Sequence, residues 1–399
     1  MFPAVSKVVS NLEPSATLAM AAKAKKLTAD GKKVFDFSVG EPDFTTPQHI
    51  CDAAVAAMQN GHTHYTVSHG IPELRVAIAK QYQAAHGIAY TPEEVVVSNG
   101  AKHSLHNVFA TLCNPGDEVV IPAPYWVSYA ELVKLTGAKP VIVQTRQEDE
   151  FKLTPAQLRA ALSANSKILL LCSPSNPTGS MYTPDELGQL ADIAIEKNLI
   201  VITDEIYERL VYGQHRFVSF PTVRPNLRER TIVVNGVSKA YAMTGWRIGW
   251  TLAPKHISKA MADLQSQQTS NPCSVSQYAA LAAVTGPQEC VGEMLKEFAK
   301  RREFVRERLA KIPGLSCPEM AGAFYAFINI KAHLNKTYGG QKITNSAEWC
   351  LALLDQQNVA TVMGSAFGAE GYARLSFATS LETISAGLDR VEKFIRGAT

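Results

Sequence analysis

One lysine in this chain stands in surroundings that favour a nucleophilic amine. Lys239 follows the apolar run 231–235 and lies in Gly236-Val237-Ser238-Lys239-Ala240-Tyr241-Ala242-Met243-Thr244-Gly245-Trp246-Arg247-Ile248-Gly249. A lysine beside a buried site can have its pKa lowered until the free amine attacks a carbonyl carbon. A solvated surface lysine is the alternative, and the apolar and small neighbours on both sides argue against it. Arg247 adds a cation among the same small residues. Asp204 follows the apolar run 199–203 and heads Asp204-Glu205-Ile206-Tyr207. A carboxylate there is partly desolvated and needs a cationic partner, unless it serves as a helix N-cap. Tyr207 lies beside it if the chain turns helically.

Two further turns follow apolar runs. In Ser173-Pro174-Ser175-Asn176-Pro177-Thr178-Gly179, two prolines and a glycine fix the loop and present the Asn176 amide. A turn this rigid after a buried strand is more often placed for a ligand than left as a stiff surface turn. Asn99-Gly100-Ala101-Lys102 follows 95–98, and its small residues leave helix N-terminal amides open to an anion, although most such turns bind nothing. Lys102 opposes the helix dipole there, so it does not serve helix stability.

These residues need strands to carry them. Runs at 94–98, 117–121, 167–172, 199–203 and 231–235 read as strands, with helical segments such as 102–112, 126–135 and 184–197 between them. Apolar strands separated by helices predict an α/β fold with a mostly parallel sheet covered on both faces. Its site lies outside the carboxyl ends of the strands. Beyond 290 the pattern changes to a charged helix over 291–311, a strand over 323–330, a helix near 347–354 and two short strands. We therefore expect a large domain over 46–290 and a smaller α+β domain built from 1–45 and 291–399.

Bulk properties narrow the function classes. A chain of 399 residues is long for one core. With 19% charged residues, net charge +3 and no block of like charges, neither nucleic acid nor a membrane surface is indicated as a partner. Seven cysteines are scattered without a CxxC spacing, which speaks against a disulfide framework or a zinc site and for a reducing cytoplasm. His62, His64 and His69 have no acidic ligands near them, and no metal is expected. The N-terminus lacks a signal-peptide core, and apolar runs such as 168–172 are too short to span a bilayer.

SKAYAMTGWRIG, SPSNPTG, DEIY, GEPDF and Tyr372-Ala373-Arg374-Leu375-Ser376 together resemble class I pyridoxal-phosphate aminotransferases, most nearly the bacterial aspartate aminotransferases. The resemblance runs in the family's order over nearly the whole chain. It implies the type I fold of pyridoxal-phosphate-dependent transferases, with the cofactor on Lys239 as a Schiff base. It implies that Asp204 pairs with the ring nitrogen, Tyr207 and Asn176 with the ring hydroxyl, and that Trp126 stacks on the ring. Arg247, Ser238, Gly100 and Ala101 would hold the phosphate, with Tyr65 reaching in from the neighbouring subunit of a homodimer. Arg374 would grip the substrate α-carboxylate, helped by Asn176, Trp126 and the Gly40 backbone. Lys102, with Ser15 and Thr17, would bind the distal carboxylate of aspartate or glutamate, with 2-oxoglutarate or oxaloacetate as the oxo acid. Members that accept prephenate tend to carry a lysine before Pro14-Ser15-Ala16-Thr17, and here that position is Glu13, which opposes a further carboxylate. The alternatives are an aminotransferase of aromatic, alanine or prephenate range, or a lyase on the same fold.

Overall fold

The computed structural model describes residues 5–397. Among these residues fourteen strands fall in chain order: β1 (Phe35–Asp36), β2 (Val95–Ser98), β3 (Glu118–Ala123), β4 (Lys139–Gln144), β5 (Ser166–Cys172), β6 (Ile200–Asp204), β7 (Thr231–Gly236), β8 (Gly249–Leu252), β9 (Tyr325–Asn329), β10 (Thr337–Tyr338), β11 (Gln341–Lys342), β12 (Val359–Ala360), β13 (Val362–Met363) and β14 (Tyr372–Ser376). Seven of them make the main sheet in the order β2-β8-β7-β6-β5-β3-β4. Every pair is parallel except those of β8, which runs antiparallel to both β2 and β7. The expected α/β fold with a mostly parallel sheet is therefore present.

Side chains alternate along these strands and divide the core into layers. Ile168 and Leu170 of β5 join Leu105, Phe109, Ile232 and Val234 in one cluster. Leu169 and Leu171 point the other way, to Leu187, Leu190 and Val201. The helix Pro184–Glu196 starts where Thr183 and Glu186 form a capping box and Pro184 supplies a preset φ.

A three-stranded antiparallel sheet, β13-β14-β9, stands apart from the main one. The N-terminal segment joins this C-terminal part through the parallel pair β1–β12, with Phe35 opposite Val359. Several expected bounds move. The helix expected at 126–135 spans Ser128–Lys134, because the chain turns at Trp126 and Val127. The strand expected from 323 begins at Tyr325, since Ala323 adopts φ +58°. Strands β4 and β8 are additions: β8 reads Gly-Trp-Thr-Leu, too short to stand out by periodicity. Among the described residues no helix is long and apolar enough to cross a membrane.

Candidate active site

The segments that follow β2, β5, β6 and β7 meet β9, β14 and the segment 39–41 around one cleft of about 320 Å³. Lys239 is partly buried there, and its Nζ donates to the Gly40 carbonyl at 2.6 Å. Burial lowers its pKa to about 8; Glu41 and Asp204 oppose the drop, while Arg374 and Arg247 add to it.

Asp204 is 4% exposed, and its carboxylate accepts from the Tyr129 hydroxyl at 2.6 Å and the Ile206 amide at 3.2 Å. No α-helix begins at this point, so the cap reading does not hold. No side-chain cation bonds it among the described residues. Burial raises its pKa, against the pull of Tyr129, the Ile206 amide and Lys239. Tyr207 is buried in the same cleft, its hydroxyl 2.8 Å from that of Tyr325.

Arg374 extends from β14 and is 2% exposed. Its Nη1 donates to Asn176 Oδ1 at 2.9 Å and its Nη2 to the Ser38 carbonyl at 2.6 Å, while the buried Nε has no partner. The guanidinium packs on two rings, 4.6 Å from the centroid of Tyr325 and 5.0 Å from that of Phe367. The backbone that holds it, residues 37–46, is a strap across the cleft. Thr244 Oγ1 donates to Glu41 at 2.8 Å, Arg301 makes two bonds to Asp43 at 2.6 and 3.0 Å, and Thr46 donates to the Ala242 carbonyl at 2.8 Å. The GEPDF motif is thus explained by its tethers.

Backbone approaches closely at the turn from β2 into the helix Ala101–Leu112. Gly100 has φ +84°, and a Cβ there would lie 2.5 Å from Arg247 Nη2. A Cβ on Gly249, at the start of β8, would overlap the Ala101 amide nitrogen. Ser238 also lines the cleft and is 7% exposed. Helix amides, a hydroxyl and a guanidinium therefore gather at one end, a cradle suited to a phosphate.

In the same cleft Lys102 stands with its Nζ 5.0 Å from the Trp126 ring centroid. Burial, with Arg247, lowers its pKa. Ser15 and Thr17 line the same cleft, and Ser15 Oγ also caps the helix Ala16–Ala29 by accepting from the Leu18 amide at 3.4 Å. Tyr65 is not brought in: it is 89% exposed and lies outside this chain's cleft. Glu13 is exposed as well, its amide bonded to the Glu131 carboxylate at 3.0 Å. His62 stacks on Tyr278, with centroids 4.1 Å apart.

Sequence reading missed Tyr129, Tyr325 and Glu41. Tyr129 could have been found as the residue one helical turn beyond Trp126, and Glu41 as the neighbour of Gly40. Tyr325 sits in an apolar strand and gave no signal beyond its hydroxyl. Together the cleft offers a low-pKa amine, a buried carboxylate without a cation, phenol and amide donors, and an anion cradle. That set complements a planar aldehyde bearing a ring nitrogen, a ring hydroxyl and a phosphate.

The family described as aminotransferase class I and II matches residues 32–391. The chain is 46% identical over 391 residues to an aspartate aminotransferase of Geobacillus stearothermophilus, covering 98% of each. It superposes on the crystal structure of the aspartate aminotransferase from Rhizobium meliloti with TM-score 0.96 at 39% identity, covering 100% of both chains. The aspartate aminotransferase of Thermus thermophilus with maleate matches with TM-score 0.92 at 38% identity, covering 98% of this chain and 100% of that one.

Proposed function

The chain belongs to the class I and II aminotransferases, and from that premise we propose that it moves the amino group of aspartate or glutamate to 2-oxoglutarate or oxaloacetate using pyridoxal phosphate on Lys239. The observation that carries this reading is one cleft lined by Lys239, Asp204, Arg374 and Lys102. When bound, pyridoxal phosphate supplies an electron sink for the substrate's Cα–H bonding electrons.

Each residue then has its own task. Lys239 Nζ would hold the cofactor, and once displaced by substrate it would carry the proton between the substrate Cα and the cofactor's C4′. Its depressed proton affinity suits a base that must be neutral near physiological pH. Asp204, held by Tyr129, keeps the ring nitrogen protonated, which also gives the buried carboxylate its cation. Tyr207 and Asn176 would donate to the ring hydroxyl oxygen, and Trp126 would cover the ring face. Arg247, Ser238 and the amides of Gly100 and Ala101 hold the phosphate.

Arg374 takes the α-carboxylate in a bidentate fork, with Asn176, Trp126 and the Gly40 backbone beside it. Lys102, with Ser15 and Thr17, takes the distal carboxylate. We further propose a homodimer in which Tyr65 completes the neighbour's phosphate site, a large domain over 46–290, and a small closing domain from 1–45 and 291–399. The setting is the cytoplasm.

An amino-donor screen with 2-oxoglutarate as acceptor tests this, with glutamate and prephenate as a further pair. We expect aspartate to yield oxaloacetate in step with glutamate, and prephenate to be poor because of Glu13. Pyruvate and ammonia released without an acceptor would instead mark a lyase.

A further inference from the structure

We propose that Tyr325 is a positioning residue that aims the Tyr207 proton into the cleft and fixes the plane of Arg374, so that both groups move as one unit. The inference rests on the cofactor reading above.

Tyr325 opens β9 and is fully buried. A buried phenol needs a partner, and the run Ala323-Phe324-Tyr325-Ala326-Phe327 would pack as well with phenylalanine if it did not. Among the described residues the hydroxyl has one hydrogen-bond partner, the Tyr207 hydroxyl at 2.8 Å. Its other side abuts Gly40, where a Cβ would come within 2.5 Å. That contact offers no acceptor.

The direction of the bond follows. If Tyr207 donated, the Tyr325 proton would be buried with nothing to accept it. Tyr325 therefore donates to the Tyr207 oxygen, and the Tyr207 proton is left to point into the cleft. A phenol that accepts one hydrogen bond is polarised into a better donor of the next. Tyr207 so arranged donates to the cofactor's ring oxygen and stabilises its deprotonated form.

The same ring bears on the substrate end. Arg374 lies opposite Phe327 in the β9–β14 register, so Tyr325 is two residues along on the same face. Its ring packs against the guanidinium at 4.6 Å, and the Phe367 ring lies 5.0 Å from it. Cation–π contact in a dry site holds the fork in plane. The hydroxyl and the ring thus have separable tasks.

The test uses the loaded protein, with two variants and two readouts. The first readout is the pH midpoint of the bound cofactor's visible absorption band. The second is the affinity for succinate, a dicarboxylate that cannot react. Tyr325→Phe removes the hydroxyl alone, and its midpoint should rise by roughly half a pH unit or more, the size of one neutral hydrogen bond. Tyr325→Leu also removes the ring, and its succinate affinity should fall by about fivefold or more, well below that of Tyr325→Phe. A purely structural role would lower thermal stability without moving the midpoint. An unmoved midpoint in Tyr325→Phe overturns the proposal even if Tyr325→Leu does not fold, as does full succinate affinity in a folded Tyr325→Leu. If the wild-type protein shows no titrating visible band, the cofactor reading fails and takes this inference with it; a band present but unmoved defeats the inference alone.

Discussion

Lys239 is tuned mainly by removal from water, and its pKa of about 8 leaves roughly a tenth of it neutral at pH 7. An ordinary lysine would be neutral roughly three hundred times less often. A small amine-selective reagent should therefore label Lys239 in the cofactor-free protein faster than other lysines near pH 7. Its rate should climb about tenfold per pH unit below 8 and flatten above it, as read by peptide mass spectrometry. A climb that continues to pH 10 would contradict the assigned environment. Lys102 is tested differently. Lys102→Ala should reduce kcat/KM for aspartate by about 10- to 100-fold, the worth of one charge-assisted bond, and alter alanine turnover far less. Equal losses for both substrates would remove it from the distal pocket. Lys239, Asp204 and Asn176 were legible in the chain because each lies at or just beyond the end of an apolar strand, and Arg247 because it is a cation among small residues in the same segment as Lys239. Tyr129 and Tyr325 were not, because a buried tyrosine in a helix or strand looks like core until its hydroxyl is seen to have a partner.

Strand order explains why those residues converge. With β8 reversed, its first residue, Gly249, pairs with Gly236 and Ser98, the last residues of β7 and β2. The loop between β7 and β8 therefore leaves and returns at the same rim of the sheet, carrying Lys239 out and Arg247 back. The parallel strands could be read from continuous apolar runs, since both faces are covered. The reversal could not, because β8 has four residues and its pairing is non-local. Gly100 tests the turn. Gly100→Ala would place a Cβ on a positive-φ, extended backbone open essentially to glycine alone, costing about 1–3 kcal/mol, and press it on Arg247. We expect a melting temperature lower by a few degrees and a Kd for pyridoxal phosphate raised by about tenfold or more, measured by absorbance titration. Unchanged affinity would mean that the phosphate sits elsewhere.

For the whole molecule, Tyr65 bears on assembly. It is 89% exposed in the single chain, while the family resemblance implies a place for it in a phosphate site. A two-fold dimer reconciles these facts, since each subunit can lend its tyrosine to the other. Sedimentation should find a dimer, and Tyr65→Ala should weaken cofactor retention by about tenfold. A monomer that retains cofactor as well as the wild type would refute the shared site. Within one chain, the strap at 37–46 holds Arg374 by the Ser38 carbonyl and Lys239 by the Gly40 carbonyl. One short stretch of backbone thus anchors two cations at once, and a displacement of the strap would shift both bonds together.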